Sequence, residues 1–254
     1  MEGSCDRYYM KRSALYFIEH GFDILAWNNR GCSGELNRLP VLPHHGSTID
    51  IDLVIEHALK NDYEKIILLG FSMGGSNVSK YLSQEKEIDK RIAGGIAYSV
   101  SCDMQDSTKA LNHTINWVYH KKFLDKLKLK VELILRAHPG ILANDIVSDI
   151  KTFPEFHEKV TIILEGFNSV EDYYYNSSVN NFLPTLKRPL LMVNALNDPI
   201  LGPKCHPFSL SEEIPNLHFH PTRHGGHLGF NYVKKPYSYM EVVAEQFINE
   251  ILLK

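Results

Sequence analysis

A serine between two glycines lies at a predicted turn from a strand to a helix. The pentapeptide Gly70-Phe71-Ser72-Met73-Gly74 follows the apolar run 65–69 and precedes a helical pattern that begins near residue 77. A G-x-S-x-G turn in this context presents the hydroxyl at the carboxyl edge of a sheet, over a helix N-terminus that favours negative charge. An isolated match is more often an ordinary glycine-rich turn. Here the flanking elements predict that Ser72 is a nucleophile and that the Met73 amide helps to hold an oxyanion.

An unassisted serine is a poor nucleophile near neutral pH, so it needs a base and a group that orients the base. Asp198 follows the apolar run 190–195, and His227 follows the run 216–220. An Asp-Pro pair alone is more often a simple turn. Asp198 is predicted at the carboxyl end of a strand, where open α/β sheets form their sites. His227 is predicted in a loop with two glycines, from which a histidine can reach back to the serine, and serine, aspartate, histidine is one of the chain orders in which such triads occur. The sequence therefore predicts a triad of Ser72, Asp198 and His227.

Four histidines cluster in this last part of the chain. His218 and His220 share one face of a predicted strand, an arrangement that a metal site can use. No cysteine or acidic pair nearby completes a ligand set. We therefore expect no metal, assign His227 as the base, and expect His224 to support the loop.

The predicted elements alternate between helix and strand. A helix over 6–20 ends at Gly21, a second helix over 51–59 follows the capping hydroxyls of Ser47 and Thr48, and a long loop covers 29–47. We expect Gly70, Gly74 and Gly75 to lie where a Cβ would clash. The alternation predicts an α/β fold with a mostly parallel, doubly wound sheet. Its further elements are a helix from 77, strands over 23–28, 65–69, 92–100, 189–195 and 216–220, and a closing helix over 237–253.

Residues 108–183 differ in character from the rest of the single predicted domain, 1–254. They are helical, rich in His, Tyr and Phe, and without clear buried strands, so we interpret them as a helical cap inserted into the domain. Apolar residues of this insertion either line an acyl pocket or form the ordinary core of the cap. They are Phe123, Leu133, Ile134, Leu135, Phe153, Phe156, Phe167 and Tyr173 to Tyr175.

Composition excludes several classes of protein. With 254 residues, 44% of them hydrophobic, the chain can bury one large core. The net charge is −3 and basic residues are scattered, which argues against a nucleic-acid partner. No stretch is long and apolar enough for a membrane span. The four cysteines are far apart and predict neither a disulfide framework nor a zinc site, which favours the cytoplasm.

Several motifs together resemble the YheT-like branch of the α/β-hydrolases. The resemblance covers nearly the whole chain and implies an α/β-hydrolase fold, no cofactor, and hydrolysis of carboxylic esters, with some relatives acting on glycerolipids or phospholipids. It also implies that the triad maps onto Ser72, Asp198 and His227. The motifs are Asn29-Arg30-Gly31-Cys32-Ser33-Gly34-Glu35 with Asn37-Arg38, His45-Gly46-Ser47-Thr48-Ile49-Asp50, Gly70-Phe71-Ser72-Met73-Gly74-Gly75, Tyr173-Tyr174, Asn197-Asp198-Pro199 and His224-Gly225-Gly226-His227-Leu228-Gly229-Phe230.

Roles of three further sets of residues follow from the resemblance. Arg30 and Glu35 match motif positions in a loop that is expected to brace the nucleophile turn. His45, Thr48 and Asp50 are expected to begin and cap a helix. His157 stands where relatives carry an acid, a departure that concerns substrate contacts and not catalysis.

The resemblance also implies a loop, His-Gly-Leu-Glu-Gly-Ser, that donates a second oxyanion amide. Met1-Glu2-Gly3-Ser4 corresponds to its end, so its beginning and three earlier strands are missing, including one beside the centre of the sheet. Loss of one oxyanion donor typically lowers the rate about 10²- to 10³-fold. We therefore expect that the natural protein starts upstream of Met1. The alternative is that this chain is a catalytically impaired protein.

Three functions fit these features. The first is a serine esterase that acts on a small-molecule ester, with a lipid-like acyl group as one option. The second is a non-catalytic binding protein that uses the hydrolase scaffold. The third is an acyltransferase in which an alcohol replaces water at the same triad. The oligomeric state is left open by the sequence.

Overall fold

The computed structural model describes residues 3–254. Its helices and strands are distributed along the whole of this range, and all four strands lie in one sheet. The helices are α1 (Tyr8–Glu19), α2 (Ile49–Ala58), α3 (Met73–Leu82), α4 (Met104–Asn112), α5 (Trp117–Ala137), α6 (Phe153–Phe156), α7 (Ile162–Glu165), α8 (Val170–Ser177), α9 (Phe208–Glu213) and α10 (Tyr239–Phe247). The strands are β1 (Ile66–Phe71), β2 (Ile92–Tyr98), β3 (Leu190–Ala195) and β4 (Leu217–Thr222).

The sheet is parallel, and its strands follow one another in the order β1-β2-β3-β4. Four of the predicted strands are thereby confirmed. Strand β3 shows why these runs are continuously apolar. Leu190 and Met192 pack in a core with α2 and α3, whereas Leu191 and Val193 pack in a second core with α1 and α10. Both faces of the sheet are therefore covered, as expected for a doubly wound architecture.

The prediction of a strand over 23–28 is wrong. No strand is formed there, and Ile24 and Leu25 keep 41% and 54% of their surface exposed. A strand needs a neighbour for its backbone hydrogen bonds, whereas this segment lies across a cavity from β1. Among the described residues, β1 pairs only with β2, so its outer edge also lacks a ladder partner.

The sequence predicts the end of α1 correctly but the start of α2 incorrectly. Helix α1 closes as predicted, with Gly21 at a φ of +86°, a left-handed conformation that suits glycine. The predicted caps of α2 are wrong, since Thr48 occupies the N-cap without any hydrogen bond from its side chain. The backbone carbonyl of Ser47 instead accepts a hydrogen bond from the side-chain NH₂ of Asn77 at 2.7 Å. The start of α2 is thus fixed by tertiary contact with α3.

Between β2 and β3 the described chain is helical and builds its own core. Ile134, Leu135, Phe153 and Phe156 pack within this core. Phe167, Tyr173 and Tyr174 lie in a small cluster beside it, and Leu133 and Tyr175 are exposed. Of the residues considered for an acyl pocket, only Phe123 is among those that line the cavity beside Ser72. For the others the acyl-pocket interpretation is wrong, because most of them are buried between helices and Leu133 and Tyr175 are exposed on the surface.

Candidate active site

Ser72 occupies a strained turn between β1 and α3. Its φ of 53° lies in the left-handed region, which is costly for a residue with a Cβ. The Ser72 amide donates a hydrogen bond at 2.7 Å to the carbonyl of Tyr98 at the end of β2. The turn is therefore tied to the neighbouring strand, and the hydroxyl is placed just before the first residue of α3.

The glycines around Ser72 have different roles. A Cβ on Gly70 would lie 2.3 Å from the carbonyl oxygen of Gly74, and one on Gly75 would lie 2.9 Å from a methyl group of Val100. Both positions exclude a larger residue, as predicted. The same prediction is wrong for Gly74, where an added Cβ has no atom within 4 Å. The tight approach is made by the backbone of Gly74, and its Cα faces open space.

The three residues predicted to form a triad lie in one hydrogen-bonded chain. His227 Nε2 is 3.1 Å from Ser72 Oγ, and His227 Nδ1 is 2.9 Å from Asp198 Oδ2. The Asp198 side chain is fully buried, and its Oδ1 accepts a hydrogen bond from the Ile200 amide at 2.9 Å. Since an ionised carboxylate only accepts, this arrangement places the proton of a neutral imidazole on Nδ1 and leaves Nε2 to accept from the serine.

The loops that carry Asp198 and His227 are joined by a contact that sequence reasoning did not single out. The side-chain oxygen of Asn197 accepts a hydrogen bond from the Gly226 amide at 2.9 Å. The histidine loop is also folded tightly on itself, because a Cβ on Gly225 would lie 2.6 Å from the ring of Phe230. The position of Asn197 directly before Asp198 was visible in the sequence, but its partner 29 residues later was not.

The other histidines of this region do not contact Ser72. His224, three residues before His227 in the chain, is exposed. The ring of His218 packs against Phe247, and His220 Nε2 lies 2.7 Å from the Tyr239 hydroxyl. Within the range 3–254, no group of three or more His, Cys, Asp or Glu side chains is arranged to hold a metal ion.

The predicted oxyanion donor, Met73, is the first residue of α3. The first amides of a helix have no partner within the helix and point toward the site at its N-terminus. Gly3 and Ser4 line the same cavity as Ser72 and Met73. Met1 and Glu2, which the resemblance assigns to the second oxyanion loop, lie outside the described residues.

A cavity of about 890 Å³ adjoins the nucleophile. Ser72 and His227 lie in its wall together with the outer edge of β1, the segment 22–27 and part of α2. The first turns of α5 complete it through Tyr119, Lys122 and Phe123. The volume is within the range of pockets that bind small molecules.

A buried polar cluster supports the nucleophile helix from behind. His45 Nδ1 is 2.9 Å from the hydroxyl of Ser76, and the side-chain NH₂ of Asn77 donates to the backbone carbonyls of His44, His45 and Ser47. Complete burial lowers the pKa of His45 to about 3, so its ring is neutral at physiological pH. His45 therefore contacts and supports α3, whereas the sequence predicted that it helps to begin α2.

The remaining motif residues also contact other parts of the chain. The Arg30 guanidinium binds both oxygens of the Asp50 carboxylate, which fastens the loop 29–47 to α2. Glu35 is exposed. His157 is buried, with Nδ1 3.2 Å from the Tyr174 hydroxyl, and burial lowers its pKa to about 3. His157 is not among the residues that line the cavity, so its departure from the family pattern affects the packing of this helical segment.

Comparison with known proteins agrees with this architecture. The family model described as serine aminopeptidase, S33, matches residues 2–204. The chain belongs to this family of α/β-hydrolases. YheT of Escherichia coli (strain K12), whose name includes the word esterase, is 25% identical over 91% of the chain and 68% of its own length. Mouse phospholipase ABHD3 is 26% identical over 92% of the chain and 58% of its own length. The predicted resemblance to the YheT-like branch is thus confirmed, and the chain spans 58% to 68% of these relatives.

Solved structures show the same fold. The esterase Pf2001 of Pyrococcus furiosus superposes with a TM-score of 0.61 at 17% identity, over 98% of this chain and 79% of that one. The predicted α/β-hydrolase fold class is therefore correct. No helix between residues 3 and 254 is both long and apolar enough to cross a membrane.

Proposed function

We propose that this protein is a serine hydrolase that cleaves carboxylic esters through an acyl-enzyme. The observation that carries the proposal is the continuous hydrogen-bonded chain from Asp198 through His227 to Ser72 Oγ. The strained backbone at Ser72 supports it, because such strain is typical of functional sites. The mouse relative is named a phospholipase, an enzyme that hydrolyses ester bonds.

In the proposed mechanism, His227 Nε2 removes the proton of Ser72 while Oγ attacks the ester carbonyl carbon. The carbonyl electrons move onto the oxygen, which the Met73 amide binds as an oxyanion. When the carbonyl forms again, the bond to the alcohol breaks and His227 returns its proton to the leaving oxygen. Water then repeats the sequence on the acyl-enzyme and releases the acid. Asp198 holds the ring in the required tautomer and balances its positive charge.

We assign the acyl group to the apolar side chains of α2 and α5 that line the cavity, among them Ile51, Val54 and Phe123, which favours a lipid-like ester. The outer edge of β1 also lines this cavity, and its backbone groups have no ladder partner among the described residues. An alkyl chain cannot satisfy such groups, so it gains little by lying along that edge. The helical segment 108–183 acts as the cap in this proposal.

A fluorophosphonate probe tests the nucleophile. We expect covalent labelling of the parent protein and none of Ser72→Ala, with unchanged labelling of Ser148→Ala, which removes an exposed hydroxyl. An unlabelled but folded parent would identify a non-catalytic binding scaffold. Labelling of Ser72→Ala would mean that another residue is the nucleophile. Product analysis of an ester reaction with added glycerol separates hydrolysis from acyl transfer, because transfer yields a new glycerol ester.

The cytoplasm is the proposed location. None of the four cysteines, all of which lie in the described range, forms a disulfide, and three of them are buried. Cysteines that stay reduced are typical of a reducing compartment. Mass spectrometry of the protein alkylated before and after reduction tests this point, and a disulfide in the purified native protein would contradict it.

A further inference from the structure

A run of apolar side chains is exposed just before and within the first turn of α5. Ile115 keeps 79% of its surface exposed, Trp117 64% and Val118 55%. We call these three residues the tip. They belong to a short 3₁₀ turn, Thr114–Asn116, and to the helix start that follows it directly. Contiguous exposed apolar residues of this size are uncommon on a protein surface and typically mark a contact site.

The tip is held firmly against the loop of the candidate catalytic acid. The Asn116 side chain donates hydrogen bonds to the carbonyl of Pro199 at 2.7 Å and to that of Ala110 at 2.8 Å. Pro199 directly follows Asp198 in the sequence. Tyr119, the residue after the tip, already lines the cavity that contains Ser72. The exposed apolar surface therefore continues into the wall of this cavity.

Lysines follow the tip along α5. Lys121 and Lys122 are exposed and Lys126 is half-buried, while Asp125 pairs with Lys121 at 2.9 Å. Three lysines and one aspartate give these two turns a net charge of about +2. An apolar group that includes tryptophan, next to lysines, is the composition of surfaces that lie in the headgroup boundary of a bilayer. Two copies of this surface would bring their lysines together, which disfavours self-association through it.

We propose that the tip inserts into the headgroup boundary of an anionic lipid bilayer, with the lysines of α5 facing the lipid phosphates. Helix α5 would then lie on the surface without crossing it, and the cavity beside Ser72 would be held next to lipid. This surface acts independently of ester hydrolysis. Its test therefore uses the Ser72→Ala background, in which a failure of binding cannot be confused with a failure of catalysis.

The two tryptophans of the chain allow a direct readout. In the variant Trp27→Phe, Trp117 is the only tryptophan, and its emission reports insertion. With vesicles of phosphatidylcholine and phosphatidylglycerol in a 3:1 ratio, we expect a shift of the emission to the blue and sedimentation of the protein with the lipid. Vesicles of phosphatidylcholine alone should bind more weakly, and 1 M salt should remove this difference, because the lysine contribution is screened.

Paired substitutions locate the contact. Ile115→Ser with Val118→Ser retains Trp117 and should weaken partitioning into the mixed vesicles about tenfold or more, from the lost apolar area. Val233→Ser is the matched control, since Val233 is 85% exposed in a different loop. Thermal unfolding should be the same for all three proteins because the altered side chains are exposed.

Three results would overturn the proposal. The first is no binding of the parent to mixed vesicles, and the second is equal binding by the double variant. The third is an equal loss in the Val233→Ser control. A blue shift without vesicles that grows with protein concentration would instead identify a second copy as the occupant of the tip.

Discussion

Replacement of Asp198 by asparagine tests the orientation of the histidine. The Ile200 amide, 2.9 Å from Oδ1, requires an acceptor at that position. The asparagine oxygen must therefore remain there, and its NH₂ group takes the place of Oδ2, 2.9 Å from His227 Nδ1. Since two donors cannot face each other, Nδ1 becomes the acceptor and the proton moves to Nε2. In that tautomer His227 cannot accept the proton of Ser72.

The expected loss is large because the wrong tautomer removes the base without disturbing the fold. For a triad with an asparagine at this position, the decrease in kcat is about 10⁴-fold, or about 5.5 kcal/mol in activation free energy. Hydrolysis of a p-nitrophenyl ester by Asp198→Asn measures the effect, and unfolding in denaturant shows that the protein is intact. Asp62→Asn, at an exposed acid, serves as the control and should match the parent. If folded Asp198→Asn keeps kcat within tenfold of the parent, Asp198 does not orient the base.

Three further predictions concern stability and the nucleophile turn. Gly70→Ala should lower the melting temperature and the ester hydrolysis rate, because the added Cβ would lie 2.3 Å from a backbone oxygen. Gly74→Ala has open space for its Cβ and should raise the free energy of unfolding by about 0.5–1 kcal/mol. Equal melting temperatures of the two variants would refute this. Glu241→Gln leaves the buried Arg12 without its carboxylate partner, 3.3 Å away, and should lower the free energy of unfolding in urea by about 3–5 kcal/mol. The control Asp6→Asn removes the exposed pair with Lys11 and should lower it by less than about 1 kcal/mol. Burial lowers the pKa of both His45 and His157 to about 3, so the unfolded chain binds more protons than the folded one below about pH 6.5. The free energy of unfolding should therefore decrease as the pH falls from about 6.5 toward 3, by up to about 1.4 kcal/mol per pH unit for each histidine. His157→Phe removes one of these two contributions and should reduce the slope accordingly. An unchanged slope between pH 4 and 6 would contradict the assignment.

Much of the fold and the candidate site was predictable from local sequence. The four strands of the sheet are continuous apolar runs because both of their faces are buried. Such a run can be recognised from consecutive residues alone. Ser72, Asp198 and His227 were also predictable, since each follows such a run and the carboxyl ends of parallel strands lie at one edge of the sheet. The closure of α1 at Gly21 depends only on local backbone geometry.

The errors arise where a structure depends on partners that are distant in sequence. The segment 23–28 has the composition of a strand, yet a strand forms only when a neighbour supplies a ladder. The hydroxyl of Thr48 does not cap α2, because α3 fixes this segment through Asn77. For the aromatic residues of the segment 108–183 the sequence left two interpretations open, a pocket lining or a core, since apolar periodicity does not show what a helix face packs against.

The sequence by itself determined the order of the four strands of the sheet, the serine turn between a strand and a helix, and the identity of three candidate catalytic residues, because these depend on side-chain type and spacing along the chain. Only the tertiary structure decided which contacts hold them. The carboxylate of Asp198 reaches His227 across 29 residues, and His227 reaches Ser72 across 155. Such distances are closed by packing of the whole sheet and its helices, and no local pattern encodes them.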